Sequence, residues 1–212
     1  MATIATKNEV ITVIIIFSVK PERQQELIDA IAEFVETVKQ QPGFVSANIH
    51  KSIDGLKVAN YAQWQSQPDY NNFINNTEVQ AKAAKLREFN SPDIHIYEVV
   101  ISESKEGIPK IKQGQYITHF AEFRMSPENQ PRMIELAKEN VGKAMELPGL
   151  ISANFHRSLD GTRVINYGQW LDQETIENLK KQPGFSKDSE YWEGIAENEH
   201  HLYEVVLTVP ND

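Results

Sequence analysis

The pattern of apolar and polar residues in the first half of the chain predicts a buried strand followed by an amphipathic helix. Residues 10–19 are rich in β-branched side chains and apolar on both faces, which is typical of a strand covered on both sides. Pro21 then fits the first turn of a helix, and apolar residues recur after it at steps of three and four until Pro42 and Gly43. This spacing predicts an amphipathic helix with a buried stripe of Leu27, Ile28, Ile31, Phe34, Val35 and Val38.

The rest of this half predicts three further strands and a broken helix. Strands at about residues 44–53 and 56–64 are joined by Asp54 and Gly55, a dipeptide that accepts the positive φ angles of a tight two-residue hairpin. A broken helical region follows over about residues 68–90, and the apolar stretch 94–101 indicates a closing strand. The order βαββαβ is that of an α+β, ferredoxin-like fold, with the helices on one face of an antiparallel sheet.

The same pattern occurs a second time, 106 residues later. Residues 42–64 and 148–170 align without a gap and share 14 identities in 23 positions. The polar segment 102–114 contains Gly and Pro, which is typical of a linker. The sequence therefore predicts two copies of one domain, residues 1–104 and 114–212, joined by a linker at 105–113.

Composition narrows the classes of partner. The formal net charge of -9 leaves no basic stripe, so nucleic acid and anionic membrane surfaces are not expected as partners. The chain has no cysteine, which excludes disulfides, thiolate metal sites and a cysteine nucleophile. The apolar run 10–17 is too short to span a bilayer and no signal-peptide cleavage pattern follows it, so we expect a soluble, cytoplasmic protein.

The hairpin register predicts which side chains share a face. A two-residue turn pairs Ile49 with Asn60 and Val45 with Trp64, on an apolar face that we assign to the helices. An amide without a partner in such surroundings costs roughly 1–3 kcal/mol, so either the protein or a ligand must satisfy Asn60 and its repeat Asn166. We assign the opposite face to the contact between the two copies; it holds Ser46, Asn48, His50, Ala59, Tyr61 and Gln63.

These residues resemble a known family. A βαββαβ unit with Pro-Gly-Phe at the start of its second strand and Asn-x-x-x-Trp on its third is similar to the antibiotic biosynthesis monooxygenase domain. Members of that family pair as a dimeric α+β barrel, so the resemblance implies two ferredoxin-like domains that form an intramolecular pseudo-dimeric barrel. Association of the fused pair into a larger homo-oligomer stays open.

The resemblance also implies a reaction and a site. In the cofactor-free oxygenases of the family, the site joins an Asn and a Trp of the third strand to a following Tyr, which Asn60, Trp64 and Tyr70 match here. Such an enzyme oxidises a small phenolic, hydroquinone or polycyclic aromatic substrate with O2 and needs no cofactor or metal. Asn60 is the expected donor to a developing oxyanion, Trp64 a second donor or stacking wall, and Tyr70 a proton-transfer partner.

The second copy matches this motif less completely. Asn166 and Trp170 repeat the first two residues and are expected to bind substrate, whereas Ile176 replaces the Tyr, which predicts a weaker or inactive second pocket. The haem-degrading branch of the family needs a histidine in the second helical region. Residues 68–90 and 174–197 contain none, so that reading is disfavoured.

Several alternatives remain at this stage. The two asparagines could bond the backbone at a strand irregularity and the tryptophans could fill the core. The protein would then be a non-catalytic small-molecule binder or a stress-related member of the family. His50 and His156 are interpreted as polar groups at the contact between copies, and adjacent His200 and His201 point to opposite sides of a strand and cannot chelate one metal. The motif identifies no general base.

Overall fold

The computed structural model describes residues 2–181 and 190–210, and it shows two similar halves. The first half contains strands β1 to β4 and helices α1 to α3, and the second contains β5 to β8 with α4 and α5. Short 3-10 turns at Pro21–Arg23 and Pro127–Asn129 precede α1 and α4, and a third covers Ala84–Glu88. The first-half bounds are β1 Ile11–Ser18, α1 Gln24–Val38, β2 Phe44–Ser52, β3 Lys57–Trp64, α2 Gln67–Asn75, α3 Thr77–Ala81 and β4 Asp93–Ser104. The second-half bounds are β5 Ile117–Arg124, α4 Gln130–Ala144, β6 Leu150–Ser158, β7 Arg163–Trp170, α5 Gln173–Lys180 and β8 Glu197–Val209.

The two halves together close one antiparallel barrel. Each half has the strand order of a ferredoxin-like sheet, β4-β1-β3-β2 in the first and β8-β5-β7-β6 in the second. β2 pairs with β8 and β4 pairs with β6, so each half completes the edge of the other. The predicted pseudo-dimeric α+β barrel is thereby confirmed. The predicted domain boundaries near 104 and 114 stay predictions.

The helices lie on the outer face of the barrel, where the predicted apolar stripe packs. Leu27, Ile31 and Val35 of α1 form one hydrophobic cluster with Ile49 and Val58. The corresponding stripe of α4 packs against β6 and β7 in the second half. The helix-facing side of each hairpin is therefore the side that the alternation of residues predicts. None of the described helices combines the length and the apolar composition needed to cross a membrane.

The hairpin register follows the prediction until a bulge changes it. Ile49 lies opposite Asn60, as predicted, but Trp64 lies opposite Phe44 and not Val45, so that pairing was wrong. The register shifts between Phe44 and Ser46, because a β-bulge adds one residue to β2. The bulge turns Phe44 to the helix side beside the Trp64 ring, and it recurs between Leu150 and Ser152.

The interior of the barrel is where the two halves meet. His50 of the first half accepts a hydrogen bond at Nε2 from the Tyr167 hydroxyl of the second, at 2.9 Å. The reciprocal bond joins the Tyr61 hydroxyl to His156 Nε2 at 3.0 Å. All four side chains are completely buried. The polar aromatic face of each hairpin thus lies at the contact between the copies, as predicted.

The hairpin connections also cross from one half to the other. Asp54 in the β2–β3 connection lies 2.5 Å from His201 Nδ1, and Asp160 in the β6–β7 connection lies 2.6 Å from His95 Nδ1. Each connection spans four residues between strand ends, 53–56 in the first half, where a tight two-residue turn was predicted. Gly55 nevertheless has the predicted positive φ, 82°.

Candidate functional site

Each half holds a cavity between its outer sheet face and its helices, and the two cavities differ greatly in size. Asn60, Trp64 and Tyr70 line the first-half cavity, whose volume is about 80 Å³. Asn166, Trp170 and Ile176 line the second-half cavity, where the described residues enclose about 480 Å³. The structure therefore brings both predicted sets of residues to a cavity, but the larger space lies in the half that lacks the tyrosine.

Aromatic rings fill the first-half cavity. The Trp64 ring stacks on Phe73 at 4.8 Å between centroids and has Phe44 and Tyr70 edge-on, each at 5.7 Å. Phe34 closes the cluster at 6.2 Å from Phe73. Burial raises the pKa of the Tyr70 hydroxyl. Such a cluster is typical of a packed core, so the alternative role of Trp64 as core filling fits this half.

Smaller residues at matching positions explain the larger second cavity. On α4, Asn140 and Ala144 stand where the first half has Phe34 and Val38. Each replacement removes side-chain volume between helix and sheet, and the described helices α4 and α5 leave the space open. The other reductions between lining residues are Ile15 to Ala121, Phe44 to Leu150, Ala62 to Gly168, Tyr70 to Ile176 and Phe73 to Leu179.

The second cavity has an apolar aromatic lining with unsatisfied polar groups. Phe123, Phe155 and Trp192 contribute aromatic surface. Among the described residues, Asn166 Oδ1 and Trp170 Nε1 are buried without any hydrogen-bond partner. In the first half, Asn60 Oδ1 is likewise buried without a hydrogen-bond partner among the described residues. The alternative in which these asparagines bond the backbone is not met by their Oδ1 atoms. A buried acceptor or donor left without a partner costs roughly 1–3 kcal/mol.

Two histidines line the second cavity, of which the sequence analysis overlooked His119 and considered His200 only as a metal ligand. His119 on β5 and His200 on β8 both line it, with ring centroids 5.3 Å apart and an interplanar angle of 68°. Burial, together with the positive charge of Lys180, lowers the pKa of His119 to about 3, and burial also lowers the pKa of His200. Both rings are therefore neutral near pH 7. The available signal was a difference between the copies, since the matching residues of the first half are Val13 and Ile94.

Gly168 lies on β7 between the Trp170 indole and His119 and has no side chain to fill the space there. A methyl group on its Cα would lie 3.2 Å from Trp170 Nε1 and 3.7 Å from His119 Cβ. Those contacts are tighter than ordinary van der Waals packing on the indole side. The glycine thus holds open the space between the indole N–H and the histidine.

The remaining candidate histidines lie elsewhere. His50 and His156 point into the barrel interior, away from both cavities, as their hydrogen bonds to Tyr167 and Tyr61 show. His201 bonds carboxylates at the barrel end, on the opposite side of β8 from His200. Within residues 2–181 and 190–210, no three His, Asp or Glu side chains converge as a metal site would require.

Comparison with known proteins identifies the family. The sequence profile of the antibiotic biosynthesis monooxygenases matches residues 10–85 and again residues 116–187. The chain therefore belongs to the antibiotic biosynthesis monooxygenase family and carries its domain twice, which confirms the resemblance seen in the sequence.

Individual relatives agree with this assignment. Tetracenomycin-F1 monooxygenase of Streptomyces glaucescens is 45% identical over 71 residues, which are 33% of this chain and 63% of that protein. The chain thus spans less than two thirds of the length of this curated relative. The crystal structure of an anthrone oxidase-like protein superposes with a TM-score of 0.86 at 22% identity, over 98% of this chain and 95% of that one. A provisionally named monooxygenase of Fusobacterium nucleatum subsp. nucleatum gives 0.64 at 13% identity, over 94% and 93%. At such identities the superpositions show the fold alone.

Proposed function

We propose that the protein is a cofactor-independent monooxygenase that oxidises a small phenolic, hydroquinone or polycyclic aromatic substrate with O2 in the second-half cavity. The observation that carries this proposal is a 480 Å³ aromatic-lined cavity in which Asn166 Oδ1 and Trp170 Nε1 have no partner among the described residues. The sequence analysis predicted the catalytic site in the first half because Tyr70 completes the motif there. The cavity volumes favour the second half.

The size of the second cavity suits an aromatic substrate. Ligand pockets for small organic molecules occupy about 300–1,000 Å³ and are mostly apolar with a few placed polar groups. The second-half cavity lies in that range, whereas the first-half cavity of about 80 Å³ holds no more than a few water molecules.

The unsatisfied Trp170 N–H matches the negative charge that the reaction develops on the substrate, and Asn166 matches it once its amide is turned. The substrate loses a proton, its anion gives one electron to O2, and the resulting pair combines to a peroxide. In the conversion of an anthrone to a quinone, one oxygen atom stays as the new carbonyl and the other leaves as water. The Trp170 N–H and the Asn166 amide, which can turn about its terminal bond to present its NH2, would donate to the substrate oxyanion. Such donors are strongest where an apolar wall excludes water.

The relatives support the reaction class. The curated relative is a monooxygenase, and the structure with the highest TM-score of the two described above belongs to an anthrone oxidase-like protein. A dihydroxyanthrone and simple hydroquinones are therefore the first substrates to test.

We expect Asn166→Ala and Trp170→Phe to lower kcat for oxygen uptake by about 100-fold each, because each removes a donor aimed at the oxyanion. The matched variants Asn60→Ala and Trp64→Phe change the filled first-half cavity and should keep kcat within about threefold. Oxygen-electrode rates without added flavin or haem measure this. Losses confined to the first-half variants would show that the assignment to the second half is wrong. A protein that binds the probes without oxygen uptake would instead support the non-catalytic binder.

We also expect Gly168→Ala to lower kcat/KM by about tenfold. The added methyl forces the Trp170 indole to move by a few tenths of an ångström, and overpacking of this kind costs about 1–3 kcal/mol. Ala62 occupies the matching position in the first half, so Ala62→Gly is the control and should leave the rate unchanged. Equal rates for Gly168→Ala and the unmodified protein would contradict the role of this space.

A further inference from the structure

We propose that His119 and His200 are the proton-accepting pair of the second-half cavity, with His119 facing the substrate and His200 leading to solvent. This inference rests on the proposed function and supplies the general base that the family motif does not identify. It concerns two residues of β5 and β8, outside the Asn, Trp and Tyr pattern.

The two rings form a path from the cavity lining to the surface. β5 and β8 are paired neighbours, and His200 lies opposite Ala121, two residues from His119 on the same side of the sheet. The His119 ring is half-buried and the His200 ring is exposed. With centroids 5.3 Å apart, a proton taken inside the cavity has a second imidazole next to it on the way to solvent.

The internal repeat supplies an independent argument. At the same strand positions the first half has Val13 and Ile94, and Val13 lines the small filled cavity there. The fold therefore accepts apolar residues at both positions. Placing the His119 imidazole in an apolar lining costs desolvation energy that Val13 avoids, and the two histidines occur only in the half that has the large cavity.

The charged surroundings keep His119 in its base form. Lys180 of α5 and Glu190 also line the cavity, His201 follows His200 on β8, and the lining residues of β7 carry no titratable group. Burial and the positive charge of Lys180 lower the pKa of His119, so the ring is neutral before substrate binds. The same shift weakens it as a base, and the negative charge that forms on the bound substrate must raise its pKa again for the proton to stay on the ring. Once protonated, the imidazolium lies beside the substrate anion, and their attraction in a dry cavity stabilises both charges.

The proton can be followed through the whole reaction. The O–H or C–H bond of the substrate breaks, its proton moves to a ring nitrogen of His119, and the electron pair stays on the substrate anion. That anion reduces O2, and the substrate peroxide formed on recombination takes the proton back from the imidazolium. In an anthrone, the remaining C–H proton is then lost, the O–O bond breaks as the C=O bond forms, and the outer oxygen leaves with that proton as water. His200 exchanges protons between His119 and solvent in the resting protein.

Variants that introduce the first-half residues test this pair, because the first half already packs those residues at the matching positions. His119→Val and His200→Ile place at each position the residue that its repeat already carries, and His119→Gln keeps a polar side chain that cannot accept the proton. We expect both His119 variants to lose at least about 100-fold in kcat for oxygen uptake with a dihydroxyanthrone. The dissociation constant, measured without oxygen, should rise by only about tenfold, because the His119 variants lose the ion pair with the bound anion, and His200→Ile should lose about tenfold in kcat. His119→Gln with the full rate would overturn the assignment.

A second readout separates this inference from the proposed function. Without oxygen at pH 7, the unmodified protein should bind the dihydroxyanthrone as its coloured anion, whereas His119→Val should bind the neutral form. An anion band with no later oxygen uptake would reject the monooxygenase and retain the base. Oxygen uptake with an equal anion band in both proteins would reject the base and retain the monooxygenase. Absence of the band in the unmodified protein would overturn the pair.

Discussion

Refilling the second-half cavity with the residues of the first half is expected to abolish the proposed oxygenation, by at least about 100-fold in kcat/KM. The triple variant Ala121→Ile, Asn140→Phe and Ala144→Val restores three side chains that the first half packs at the same positions. Two of them lie on α4 and one on β5, so they meet from opposite sides of the cavity. A substrate that needs most of 480 Å³ would then have no room, as in the first-half cavity of about 80 Å³.

The expected stability change separates this effect from misfolding. Filling a cavity with apolar side chains adds buried contacts, so the free energy of unfolding should stay equal or rise, which urea denaturation measures. The reciprocal variant Ile15→Ala, Phe34→Asn and Val38→Ala opens the first half and should lose several kcal/mol, since each large-to-small change in a core costs roughly 2–5 kcal/mol. It should gain no oxygenation. A refilled protein with the original kcat/KM would show that the second-half cavity is not the site.

The fold could be predicted from the sequence because the repeat tests each assignment twice. Alternation along two strands joined by Asp54 and Gly55 was enough to place Ile49 opposite Asn60. The register at Val45 could not be predicted in the same way, because a β-bulge depends on how the strand must bend around the barrel and leaves no distinct residue pattern. The same error would recur at the bulge beside Leu150, so duplication did not reveal it.

The candidate site could be predicted only in part. The motif located Asn166 and Trp170, but cavity volume depends on side chains that are far apart in sequence and meet only in the folded chain. Matching the copies by their identities also concealed the informative positions. The positions that differ between the two copies indicate where the cavities differ. Val13 is replaced by His119, which changes polarity, and Phe34 is replaced by Asn140, which changes volume.

The buried histidines of the barrel interior are expected to make the protein less stable at acidic pH. His50 Nδ1 donates to the carbonyl of Asn48 at 2.9 Å, which leaves Nε2 as the acceptor for the Tyr167 hydroxyl. Tyr167 in turn accepts from the Thr118 hydroxyl at 3.3 Å. His156 makes the reciprocal bonds. Neutral histidine satisfies this network, whereas a second ring proton on Nε2 would face the hydroxyl proton and force the tyrosine to turn its own donor away from the ring.

Acidification from pH 7 to pH 5 is therefore expected to remove about 2 kcal/mol of stability for each of these two histidines. Burial lowers the pKa of His50 and of His156 to about 4 in the folded protein, against 6.5 for a free histidine. Between those values the unfolded chain binds more protons than the folded one, so the free energy of unfolding falls as the pH falls. His119 acts in the same direction, whereas His95, whose pKa is raised beside Asp93 and Asp160, acts in the opposite one.

Comparison of slopes isolates the interior pair from those other groups. The double variant His50→Leu and His156→Leu removes both titrating rings and should be less stable near pH 7, because Tyr61 and Tyr167 each lose an acceptor. Its unfolding free energy, from urea titrations between pH 5 and pH 6, should vary less steeply with pH. The expected difference is about 1.4 kcal/mol per pH unit for each proton no longer taken up on unfolding. Identical slopes would show that the interior histidines are protonated in the folded barrel. The cross-half hydrogen bonds to the two tyrosines would then not depend on neutral imidazole.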